Sequence, residues 1–118
     1  MSKGRHSHFS EEFPRGTHPL CALHRRGLDQ VIEVIAWVRA HPRLDTLRLV
    51  AEVARYPSLL QIIQGLRAGG FKPDFAARQI VDDCERAGIY VREDLRDVEN
   101  ITRSVYEFLD SLDAKVGY

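Results

Sequence analysis

The chain has 118 residues, 44% of them hydrophobic, with 17 basic and 17 acidic side chains and therefore no formal net charge. A chain of this length buries roughly two thirds of its unfolded surface, which suffices for one domain with its own core. Zero net charge removes the long-range attraction that a nucleic-acid-binding domain normally shows, and two distant cysteines, Cys21 and Cys84, make no disulfide framework and fit a reducing cytoplasm.

Residues 1 to about 19 are polar, punctuated by Gly4, Pro14, Gly16 and Pro19, and read as a mobile arm rather than part of the core. No apolar stretch follows the early positive charges, so a secretory signal is not expected, and no stretch approaches the length of a membrane span. Phe9 and Phe13 are the exception within the arm. Four residues apart around Ser10, Glu11 and Glu12, they have the spacing expected of one helical turn able to dock on a surface.

Leu28, Val31, Ile32, Ile35 and Val38 recur at three and four, which predicts an amphipathic helix over 20–40 that stops at His41-Pro42. Asp45 is placed to cap a second helix over 45–55, with Leu44 stapled onto Leu49. Tyr56-Pro57 ends it. A third helix over 58–68 buries Leu59, Ile62, Ile63 and Leu66 and stops at Gly69-Gly70. Pro73 opens a fourth over 73–87, whose apolar face is Ala76, Ala77, Ile80, Val81, Cys84 and Ala87; Gly88 closes it in the left-handed region, with Ile89 packing back. The segment from Ile89 to Arg92 is briefly strand-like but has no partner strand. A final helix over 93–113 carries Leu95, Val98, Thr102, Val105, Leu109 and Leu112 on its buried stripe. The expectation is an all-α fold, a compact five-helix bundle with angled packing behind the mobile arm, forming one domain over 20–118.

Four features bear on function. His18, Cys21 and His24 stand three apart, and zinc accepts such ligands in tetrahedral array; Pro19, however, sets His18 apart from the helix that aligns the other two, and Cys84 is committed to a core face. Trp37 falls on the polar side of the first helix with Gln30, Glu33 and His41. A large aromatic there needs cover, either from the arm through Phe9 and Phe13 or from a partner.

Residues 46–66 resemble a helix-turn-helix DNA-binding unit, with Ser58, Gln61, Gln64 and Arg67 on its second helix. The resemblance covers about a fifth of the chain. Arg55 falls where the turn of that unit favours glycine, and Gln61 and Gln64 fall at buried positions of its recognition helix, a register one residue out. The carboxylates Asp82, Asp83, Glu85, Glu93, Asp94, Asp97 and Glu99 fan around their helices instead of converging, and read as a solvated acidic face. Residues 60–118 carry 8 basic against 11 acidic side chains, the reverse of the first half with 9 against 6.

No residue set nominates itself for catalysis. The expected function is therefore non-enzymatic: a small cytoplasmic protein that binds a macromolecule, foremost a protein or a second copy of itself, through Phe9, Phe13, Trp37, Glu33 and His41. The alternatives are DNA binding through Ser58, Gln61, Gln64 and Arg67, which the charge balance disfavours, and metal binding through His18, Cys21 and His24. No cofactor is expected beyond zinc at that last set, and no membrane partner.

Overall fold

The computed structural model describes the backbone of residues 19–117 and the side chains of residues 24–115. The arm expected over 1–19, with Phe9, Phe13 and His18, lies outside the described residues, as does the side chain of Cys21. Within them the fold is all-α: five helices and no strand. The helices are α1 (Pro19–Arg39), α2 (Thr46–Val53), α3 (Pro57–Ala68), α4 (Pro73–Arg86) and α5 (Leu95–Gly117), with a 3-10 turn over Arg92–Asp94 before the last. None is long and apolar enough to cross a membrane.

The boundaries follow from local chemistry. Asp45 accepts a hydrogen bond from the Arg48 amide at 2.8 Å, the expected cap of α2. That helix ends at Val53, two residues before the expected stop, because Pro57 disfavours helical backbone at Tyr56; the Tyr56 amide closes a tight turn onto the Val53 carbonyl at 2.8 Å instead. Gly88, at φ +85°, lets the Ile89 amide reach the Cys84 carbonyl at 2.8 Å, and Ile89 is buried. Beyond it Ile89 and Val91 point inward while Tyr90 points out, the alternation of an extended strand that pairs with nothing among the described residues. The last helix starts after the 3-10 turn and runs on to Gly117, past the last apolar residue of its stripe; Leu112, expected in the core, is 41% exposed.

The core joins all five helices through Leu28, Val31, Val34, Ile35, Leu49, Val53, Leu59, Ile63, Ile80, Val81, Val98, Ile101 and Val105. On α1 the buried arc is turned toward Trp37 relative to the expected stripe, so that Val34 is fully buried and Ile32 half exposed. Two helix pairs dominate the packing, α1 with α3 and α4 with α5, while α2 lies mainly on α5.

α1 and α3 run antiparallel at close quarters. Gly27 faces Ser58 and Ile62, and one turn along Gln30 accepts a hydrogen bond from the Leu59 amide at 3.0 Å. α3 has no side-chain cap of its own, so a residue of α1 satisfies one of its free N-terminal amides. At the helix ends, three arginines each span two carboxylates three apart: Arg39 on Asp94 and Asp97, Arg67 on Asp110 and Asp113, and Arg92 on Asp82 and Glu85.

Candidate functional site

An open groove with two exposed aromatic rings lies where α3 hands over to α4. Gly70, at φ +89°, allows the Phe71 amide to reach the Leu66 carbonyl at 3.1 Å and the Gly70 amide to reach Arg67 at 3.0 Å. In this helix-ending motif the residue in the position of Phe71 commonly packs back against the last turn. Here the Phe71 ring is 42% exposed, although its backbone is held: the Tyr106 hydroxyl on α5 donates to the Phe71 carbonyl at 2.7 Å. Burial pushes the Tyr106 hydroxyl pKa up, which keeps it a proton donor through neutral pH.

Pro73 then starts α4, and its core face begins at Ala76 and Ala77. Phe75 sits off that face and is 59% exposed, with the Arg78 guanidinium 5.7 Å above its ring. Together Gly69, Gly70, Phe71, Lys72, Phe75, Arg78, Gln79 and Asp82 line a groove of about 600 Å³. Phe71 and Phe75 are its aromatic lining. Its charged rim is basic in effect, because Asp82 is engaged by Arg92 at 2.7 Å while Lys72 and Arg78 form no ion pair among the described residues.

A second depression of about 320 Å³ adjoins it, lined by His24, Ser58, Gln61, Ile62, Gly65, Leu66 and Asp83. The Asp83 carboxylate bridges the two, accepting from Gln79 at 3.0 Å and lying 3.3 Å from His24 Nε2. His24 is thus placed by a carboxylate of α4. His18 and the side chain of Cys21 lie outside the described residues, and among the described residues no three histidine, cysteine or carboxylate groups are gathered to hold a metal. Cys84 is fully buried, its thiol pKa pushed up to about 11 chiefly by burial and further by Asp83 and Asp29. Such a thiol stays protonated at neutral pH and is no ready metal ligand.

Trp37 is half-buried against the core, and a residue of its own helix end covers part of it. The His41 ring stacks on the indole with centroids 4.2 Å apart and 24° between planes, while His41 Nδ1 donates to the Trp37 carbonyl at 2.7 Å. Glu33, one turn earlier, is exposed. It stands near enough to Tyr56 to join Glu52, after burial, in raising the phenol pKa. Phe13 precedes Pro19 by six residues, a reach of about 20 Å, whereas the helix carries Trp37 about 27 Å beyond Pro19. The structure therefore brings Trp37 and His41 together at the C-terminal end of α1.

The residues of the helix-turn-helix resemblance are dispersed. Ser58 is buried against Gly27, Gln61 and Gln64 are exposed, and Arg67 is held by Asp110 at 2.8 Å and by Asp113. α2 and α3 pack on different neighbours rather than chiefly on each other. Six carboxylates of the C-terminal half are drawn into the three arginine forks, which offset half of their charge and leave the face negative.

Phe71, Phe75 and Arg78 did not stand out in the sequence. The available signals were a large aromatic off the apolar stripe of α4, an arginine one turn later, and a phenylalanine directly after Gly69-Gly70. The chain matches no family model, and no curated protein or solved structure shows a detectable likeness to it.

Proposed function

We propose that this chain is a protein-binding module whose contact surface is the groove of Phe71, Lys72, Phe75 and Arg78, acting in the cytoplasm as a regulator, inhibitor or adaptor of the protein it holds. One observation carries this reading: two phenylalanine rings, 42% and 59% exposed, line the same concave surface together with two basic side chains, Lys72 and Arg78. Scattered exposed apolar residues are ordinary, but paired aromatics lining a groove with a charged rim have the composition of an interface centre. A cytoplasmic setting suits the free, buried thiol of Cys84.

Phe75 and Arg78 are exposed and outside the core, so replacing them leaves the fold intact. Affinity purification of the full chain from its source cell, read by mass spectrometry, is expected to return a partner that the Phe75→Ala, Arg78→Glu double variant no longer captures. A partner list unchanged by the double substitution overturns the assignment to this groove.

A further inference from the structure

The groove has a matching segment within the chain itself. Phe9-Ser10-Glu11-Glu12-Phe13 sets two carboxylates between two aromatic rings, and the groove sets two basic groups, Lys72 and Arg78, beside two aromatic rings. We propose that this N-terminal segment seats in the groove of its own chain, with its phenylalanines against Phe71 and Phe75 and its carboxylates toward Lys72 and Arg78, so that a partner protein must displace it. The inference rests on the reading of the groove as a peptide-binding surface and adds which peptide chemistry it takes.

Three observations carry it. The first is charge: Asp82, on the groove wall, is engaged by Arg92, and Asp74 lies 3.5 Å from Arg103, so the nearby carboxylates are already occupied and the groove is left receptive to anionic groups. Glu11 and Glu12 supply such groups, and complementary charge fixes which segment enters and in what register.

The second is the path of the chain. α3 runs antiparallel to α1, with Gln30 beside Leu59, Gly27 beside Ser58 and Ile62, and His24 beside Gly65 and Leu66. Going back along α1 therefore leads toward the end of α3, where Gly69, Gly70 and Phe71 form one side of the groove. His24 is one carboxylate away from it, through Asp83 to Gln79. α1 begins only about 7.5 Å of helix before His24.

The third is length. Six residues separate Phe13 from Pro19, a reach of about 20 Å, and ten separate Phe9 from Pro19, about 33 Å. Both spans exceed the ~7.5 Å of helix from Pro19 to His24, which Asp83 links to Gln79 on the groove, whereas Phe13 falls short of Trp37. A groove of about 600 Å³ has room for aromatic side chains of the kind that dominate such contacts.

The test is a competition. A fluorescein-labelled synthetic peptide of residues 7–15 is titrated, by anisotropy, against the full chain and against the full chain carrying Phe9→Ala and Phe13→Ala. A tethered segment acts at an effective concentration of about millimolar. The wild-type chain is therefore expected to bind the peptide at least about tenfold more weakly than the double variant, whose groove is open. Adding Phe75→Ala and Arg78→Glu to the double variant should abolish binding, with circular dichroism confirming an unchanged helical fold.

Equal affinity for the two chains, or no binding to the open variant, overturns the inference. So does a ratio that changes with chain concentration, which assigns the competing segment to a second copy. If the peptide fails but the wild-type chain captures a partner that the groove variant loses, the proposed function stands without this inference. If both fail, the groove is no binding surface.

Discussion

Gly27 of α1 lies so close to Ser58 of α3 that a Cβ at Gly27 would stand 2.8 Å from the Ser58 carbonyl oxygen and 2.5 Å from Ile62 Cδ1. Glycine in the middle of a helix ordinarily costs about 1 kcal/mol relative to alanine. Here that cost permits an approach of two helices that no side chain allows.

Gly27→Ala is accordingly expected to destabilise the protein by about 1 to 3 kcal/mol, the usual range for overpacking, in spite of the better helix propensity of alanine. Trimming Ile62 to alanine in the same chain should not restore stability, because the obstacle that remains is backbone. Urea unfolding followed by circular dichroism gives both values; a neutral or stabilised Gly27→Ala would show that α1 and α3 are further apart.

Thr102 is fully buried on α5, and its hydroxyl has no hydrogen-bond partner among the described residues. Replacing it by valine keeps the shape and removes the polar atom. Thr102→Val should raise the unfolding free energy by about 1 kcal/mol, while Thr102→Ser, which keeps the hydroxyl and loses a methyl group, should lower it. A loss of stability in the valine variant would mean that the hydroxyl is satisfied.

Cys84 makes a pH-dependent contribution whose sign is fixed by its environment. Burial raises the thiol from 9.0 to about 11 in the folded chain, so the folded state favours the neutral form. The associated stability is complete below pH 9 and is lost as the pH climbs toward 11. Between about pH 8 and pH 10.5 the wild-type chain should lose about 2 kcal/mol more than Cys84→Ala, since each pKa unit is worth about 1.4 kcal/mol. Identical pH profiles for the two chains would refute this. In a Cys21→Ser background, iodoacetamide should label Cys84 only on unfolding.

Trp37 is the sole tryptophan, so its fluorescence reports one site. His41→Ala removes the stacked ring and the hydrogen bond to the Trp37 carbonyl. The emission maximum should shift to the red and stability should fall by about 1 kcal/mol. Deleting residues 1–13 should leave the emission maximum where it is, since the His41 ring already stacks on the indole; a red shift on deletion would return the cover of Trp37 to the arm.

The helices were legible because their determinants are local. Asp45 before Thr46, Pro57 and Pro73 at helix starts, and Gly70 and Gly88 at helix ends each act within a turn of where they stand, and the apolar periodicity of α4 names its core face directly. What periodicity could not supply was the exact azimuth of α1: Val34 and Ile32 trade places in the core because contacts from α3 and the other helices, not the stripe itself, set how far the helix is turned. The groove was hidden for a related reason. Phe71 and Phe75 belong to no stripe that periodicity marks, and only the backbone shows that one beyond a helix end and the other off a buried face line the same groove. The arginine forks were equally invisible, since each joins residues distant along the chain or separated by a loop, and only the folded arrangement shows six carboxylates of the acidic half shared among three guanidinium groups, one of them, Arg39, from the first half of the chain.

The Gln30 side chain at the head of α3 carries one more consequence. A twelve-residue helix with no cap of its own is marginal in isolation, and the amide that would fray first is held by a neighbour nearly thirty positions earlier in the chain. α3 is thus not an autonomous unit. Excised with α2 as residues 46–70, it should be largely unstructured in water, and grafted into another scaffold it would need α1 to come with it; the two helices are inherited as a pair or not at all.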